Sequence, residues 1–173
     1  FDGPGLDIIS IATIYEELGK GCAGVATSLA ANALATLPVL IAGTEEQKQM
    51  YCDVLNNGGL AAFALTEPGA GSDAGGVSTR AVKNKEDGTY TLNGCIRGLT
   101  CFIVPKDTPG LSIGKKEDKM GIRPSNTCEV ILQDVVVPEA SRVGREGEGF
   151  RIAMNTLDSA RPFVGAVSVG IAQ

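Results

Sequence analysis

The chain has 173 residues, 43% of them apolar, a net charge of −5, and neither histidine nor tryptophan. The acidic balance makes a phosphate backbone a poor partner, and the lack of histidine excludes Ser-His-Asp and Cys-His nucleophile systems. Five scattered cysteines (Cys22, Cys52, Cys95, Cys101, Cys128) contain no C-x-x-C pair, so they read as buried free thiols of a reducing compartment rather than a zinc site.

In chain order, the breaker Gly3-Pro4-Gly5 precedes a helical stripe (Leu6, Ile8, Ile9, Ile11, Ala12, Ile14, Tyr15, Leu18), expected to end at Gly19 and Gly21. Ala23 to Leu37 predicts a second helix, apolar nearly all round, with Pro38 as a break or kink. No apolar run approaches the roughly 18 residues a membrane span requires, and no secretory signal is visible. Thr44 with Gln47 forms a capping box for a third helix running to about Leu55, which stops at Asn56-Asn57-Gly58-Gly59.

From Leu60 the period changes. Leu60 to Leu65 is a short apolar run closed by turn residues and reads as a buried strand. Ser78 to Lys83 and Thr89 to Leu92 flank Glu86-Asp87-Gly88, a hairpin signature. Further strands are expected over Thr100 to Val104, Leu111 to Lys115 and Cys128 to Val137, giving a small antiparallel barrel. Gly144 to Gly149 reads as a linker, and helix resumes from Glu148 with Pro162 inside it. The chain begins at Phe1 without methionine and ends at Gln173 within a helical pattern, so it reads as a fragment or as a chain with missing ends.

Chemistry concentrates in the stretch Phe63 to Gly76, FALTEPGAGSDAGG. A strand end delivers the Thr66 hydroxyl, and a loop follows in which Gly69, Gly71, Gly75 and Gly76 let backbone N–H groups approach a ligand. An ordinary surface loop carries the same glycines, and spacing alone does not separate the two readings.

The order of residue types does. Ala64-Leu65-Thr66-Glu67, followed by Ala70-Gly71-Ser72-Asp73 and Gly76, resembles the first signature of the acyl-CoA dehydrogenase family. Lys116 to Pro138 (KEDKMGIRPSNTCEVILQDVVVP) is similar to the same family's strand-rich segment. Gly147 to Gln173 (GEGFRIAMNTLDSARPFVGAVSVGIAQ) resembles the helix that opens its C-terminal domain. Tyr15 to Leu18 and Gly43 to Lys48 also look like the family, and the matches fall in its order over nearly the whole chain.

The resemblance implies an α+β multidomain protein. Residues 1–58 would close an N-terminal helical domain, 59–144 would form a central antiparallel β-barrel, and 145–173 would open a C-terminal helical bundle. It implies FAD as cofactor, with Phe63, Ala64, Leu65 and Thr66 along the flavin ring and Gly71 and Ser72 along its phosphates. Ser72, Asp158 and Arg161 would face the acyl-CoA substrate, although Asp158 and Arg161 are also spaced for a plain helical ion pair. On residue type alone Glu67 and Asp73 are an acid/base pair; the resemblance instead makes them shape the loop.

No catalytic base is expected within the chain. The family's base is a glutamate, placed either in later helices or directly before the arginine that aligns with Arg161, and that position here is Ala160. A base downstream of Gln173, as in short- and medium-chain members, is the expectation. The implied reaction is α,β-desaturation of an acyl-CoA by a homotetramer reoxidised by electron-transferring flavoprotein. Bacterial cytoplasm, or the mitochondrial matrix in a eukaryote, is the expected location. An enoyl-CoA reductase, an acyl-CoA oxidase and a non-catalytic β-barrel binding module are the alternatives. The family's Trp-Ile-Thr element, due after Asn93-Gly94, is absent, so Arg97 and Gly98 are not expected to be natural neighbours.

Overall fold

The structure, a computed structural model, describes residues 5–94 and 99–173, and for residues 93 and 94 the backbone alone. The Cys95 thiol and the expected discontinuity at Arg97–Gly98 lie outside the described residues. The chain divides into two compact units. A helical unit comprises Phe1–Phe63, Lys116–Thr127 and Met154–Gln173, and a β unit comprises Ala64–Lys115 and Cys128–Ala153.

In the helical unit, α1 (Ile8–Gly21) starts where the Asp7 carboxylate accepts the Ser10 amide at 2.7 Å. It runs through Gly19, which the sequence marked as a terminator. The reason is packing: a Cβ on Gly19 would lie 2.5 Å from the Val167 carbonyl oxygen on α4 (Gly149–Ala172). On the α4 side, a Cβ on Gly170 would lie 2.0 Å from the Glu16 carbonyl oxygen. Two glycines therefore let α1 and α4 approach backbone to backbone. The core beside them holds Tyr15, Ala26, Phe163 and Val167, with Tyr15 and Phe163 stacked at 5.3 Å.

α2 (Ala23–Ala42) continues through Pro38 to Gly43. With 20 residues it is long and apolar enough to cross a membrane by length and composition, which corrects the expectation that no run approaches that length. The same helix accepts hydrogen bonds from Tyr51 and Ala61 and packs against α1, with 22% of the apolar window buried. α3 (Glu45–Asn56) has both arms of the expected capping box, Gln47 N to Thr44 Oγ1 at 3.2 Å and Thr44 N to Gln47 Oε1 at 3.0 Å.

The β unit holds the predicted hairpin, β1 (Thr79–Lys83) antiparallel to β2 (Tyr90–Gly94), with Gly88 at φ 74° in its turn. β3 (Cys101–Phe102), β4 (Leu111–Lys116), β5 (Cys128–Leu132), β6 (Val135–Val137) and β7 (Arg142–Val143) follow. The expected single strand Cys128 to Val137 is divided at Asp134, whose φ of 51° turns the chain. β5 then pairs with β4 while β6 pairs with β2. Among the described residues the ladders β1-β2-β6, β3-β7 and β4-β5 stay separate, so the barrel expected from the sequence is not closed. Alternation is clear in β6, where Val135 and Val137 are buried and Val136 is exposed. Those two valines join Tyr90 and Leu92 in the core, and each such side chain stabilises the unit by about 1.5–3 kcal/mol on burial.

Candidate functional site

After α3 the chain reverses over Gly58 (φ 82°), and Gly59 N bonds back to the Val54 carbonyl at 2.8 Å. Leu60 to Leu65, expected as a buried strand, joins no ladder among the described residues, and Leu60 is 88% exposed. Burial nevertheless alternates: Ala61, Phe63 and Leu65 are half-buried, and Ala62, Ala64 and Thr66 are exposed. That is the two-residue period of extended chain. Phe63 and Leu65 therefore share one face and Thr66 lies on the other with Ala64.

The loop beyond is built around Glu67. Its amide donates to the Ala70 carbonyl at 3.1 Å and its carbonyl accepts the Ala70 amide at 3.0 Å, closing a tight turn over Pro68-Gly69. Its carboxylate accepts the Ser78 amide (2.6 Å) and hydroxyl (2.5 Å) and the Thr79 amide (2.8 Å) and hydroxyl (2.6 Å). Desolvation pushes the Glu67 carboxyl up, but these four donors outweigh it and hold the group down at about 2. A carboxylate so satisfied is a poor proton acceptor near neutrality, so Glu67 shapes the loop. Asp73 does likewise: its carboxylate accepts the Gly75 amide at 3.1 Å.

The outer side of this loop is left open. A Cβ on Gly69 or Gly71 would meet nothing within 4 Å, so neither glycine is required by protein packing. Thr66 and Ser72 are exposed, and among the described residues their hydroxyls hydrogen-bond to no protein group. The amides of Gly71 and Ser72 likewise have no protein acceptor among the described residues. Free donors on a braced, side-chain-poor loop suit an anionic ligand.

Asp158 and Arg161 belong to the other unit, on α4. Their side chains form an i,i+3 ion pair and are about two-thirds exposed. Ala160 lies between them in sequence and offers no proton acceptor.

Two features escaped sequence reading. Asn32, on α2, accepts the Ala61 amide through Oδ1 at 2.7 Å, and its one signal is a polar side chain in an apolar helix. Ser78 and Thr79 complete the Glu67 clamp from eleven and twelve residues away, with no motif to mark them.

The four described cysteines are all free and none is buried, contrary to expectation: Cys22 is exposed, and Cys52, Cys101 and Cys128 are half-buried. Burial pushes the Cys101 thiol up to about 11, so it is no nucleophile. Among the described residues no cluster of three or more acidic or thiol side chains could hold a metal ion.

Known proteins resemble both sequence and fold. The family model for the acyl-CoA dehydrogenase N-terminal domain matches residues 1–59. A short-chain specific acyl-CoA dehydrogenase of Megasphaera elsdenii is 45% identical, covering 98% of this chain and 51% of the relative. An acryloyl-CoA reductase (NADH) of Anaerotignum propionicum is 41% identical over 198 positions, covering 100% of this chain and 50% of the relative. A Bacillus anthracis acyl-CoA dehydrogenase complexed with FAD superposes with a TM-score of 0.90 at 39% identity, covering 97% of this chain and 32% of that structure. The chain belongs to the acyl-CoA dehydrogenase family. It spans about half the length of the curated relatives it matches.

Proposed function

We propose that this chain is the flavin-binding part of an FAD-dependent acyl-CoA dehydrogenase, which desaturates an acyl-CoA thioester to the trans-2-enoyl-CoA. One observation carries the reading: the Thr66 hydroxyl and the Gly71 and Ser72 amides stand uncommitted on a loop where an added Cβ on Gly69 or Gly71 would meet nothing within 4 Å. FAD, when bound, would supply the hydride acceptor. Thr66 would donate a hydrogen bond to the pyrimidine edge of the flavin from the outward face it shares with Ala64, and the chain through Phe63 and Leu65 would run beside the ring. Gly71 and Ser72 would donate to the phosphates, and Ser72 would also border the acyl-CoA. Asp158 and Arg161, on α4, are proposed as substrate-binding residues in their own right.

The α-proton would leave to a glutamate outside these residues, since Ala160 has no acceptor and Asp158 is paired with Arg161. A homotetramer and an electron-transferring flavoprotein as redox partner complete the proposal, along with the domain division at residues 58 and 144. The alignment with the acryloyl-CoA reductase runs over 198 positions, more than the chain's 173 residues, so that relative carries residues within the matched region that this chain lacks. A hairpin inserted near residues 97–98 would account for them and close the β unit into a barrel. That relative's name also favours a second reading, in which the same residues serve enoyl-CoA reduction.

The test is reconstitution of the full-length protein with FAD. Bound flavin absorbing near 450 nm, lost or weakened in Thr66→Val, supports the reading. A wild-type protein that binds no flavin overturns it and favours a non-catalytic binding module.

A further inference from the structure

α2 is rich in alanine and leucine, and its most polar side chain, Asn32, stands near its centre. Asparagine is among the poorer helix formers, yet Asn32 occupies a half-buried position in the middle of a helix rich in alanine and leucine. Its Oδ1 accepts the Ala61 amide at 2.7 Å, across 29 residues of sequence. One turn along the same helix, the Ala35 carbonyl accepts the Tyr51 hydroxyl at 3.0 Å, tying α3 to α2.

The partner of Asn32 is what makes the contact matter. Ala61 lies in the extended stretch before the glycine loop, which joins no ladder among the described residues. A buried or half-buried amide in such a stretch needs an acceptor that no neighbouring strand supplies. Extended chain has a period of two, so a slip of one residue exchanges its faces. Fixing the Ala61 amide fixes the phase: residues 61, 63 and 65 are half-buried, and 62, 64 and 66 face outward.

We infer that Asn32 is a positioning residue for the proposed flavin-binding segment: its side-chain oxygen accepts the Ala61 amide, which has no strand acceptor among the described residues, and so sets the phase of the extended chain that leads into the loop. This inference rests on the flavin reading above. Asn32 touches no cofactor itself; it acts through the backbone of Ala61.

The experiment uses the full-length protein, with FAD titrated into apoprotein and followed by flavin fluorescence, alongside the apoprotein melting temperature. Asn32→Leu keeps the shape and removes the acceptor, and Asn32→Asp keeps an acceptor oxygen. Asn32→Leu is expected to raise the FAD Kd about fivefold, the loss typical of one neutral hydrogen bond, with Asn32→Asp within about twofold of wild type. Asn32→Ala removes the same acceptor with a smaller side chain and provides a second route should Asn32→Leu fail to fold. It is expected to raise the FAD Kd at least as much as Asn32→Leu. A lowered melting temperature with unchanged FAD Kd in the variants would show a purely structural contact and overturn the inference. Should wild type itself bind no FAD, the functional reading fails first, a result distinct from wild-type-like binding by the variants.

Discussion

The carboxylate of Glu67 and the backbone and side chain of Thr79 form a two-point contact, amide at 2.8 Å and hydroxyl at 2.6 Å, that closes the glycine-rich loop onto the start of β1. Ser78 repeats the pattern on the other carboxylate oxygen. The folded-state carboxyl sits at about 2, below its ordinary 4.5, so the clamp's contribution is complete above the ordinary value and disappears as pH falls through about 2. Denaturant melts of wild type and Glu67→Gln between neutral and strongly acidic pH should therefore converge on acidification. A gap that stays constant with pH would mean the ionised form is not what the loop requires.

Glycines on α4 should respond oppositely to alanine. A Cβ at Gly170 would sit 2.0 Å from the Glu16 carbonyl oxygen, whereas one at Gly165 meets nothing within 4 Å. Gly170→Ala is expected to cost about 2 kcal/mol or more through forced separation of α1 and α4. Gly165→Ala is expected to stabilise by about 0.5–1 kcal/mol, because it lowers the entropy of the unfolded chain and improves helix propensity. Thermal denaturation of the two variants reads both signs.

Gly71→Ala separates folding from ligand binding. With open space around Gly71 the melting temperature of the apoprotein should stay within about 1–2 °C of wild type, since surface changes of this kind are within about 0.5 kcal/mol. FAD affinity should fall by about tenfold or more, because the added methyl occupies the space where a ligand would approach the backbone. Equal affinity would remove the loop from the proposed phosphate contacts.

The proposed division between substrate binding and proton transfer is tested on α4. In the full-length protein, Asp158→Asn is expected to raise the acyl-CoA KM severalfold, with kcat changing by no more than about threefold. Replacing the downstream catalytic glutamate by glutamine should slow α-proton exchange into deuterated solvent by about 10²–10⁴, with flavin retained. Exchange abolished by Asp158→Asn instead would relocate the base to the helix present here.

What the sequence determined by itself was local. The capping box at Thr44 and Gln47, the hairpin turn at Gly88, the alternation in Val135 to Val137 and the motif from Ala64 to Gly76 all depend on residues within a few positions of one another, where backbone propensity and periodicity act directly. Family membership followed from the order of such motifs. Tertiary contacts decided the rest. Gly19 reads as a helix end until Val167 is seen against it, and the four donors from Ser78 and Thr79 that surround the Glu67 carboxylate leave no mark in the sequence. Leu60 to Leu65 has the composition of a strand, but a strand exists only where a partner supplies its hydrogen bonds, and here Asn32 supplies one at Ala61. Composition records what a segment can bury; which backbone groups lie within reach of it is settled only when distant parts of the chain pack together.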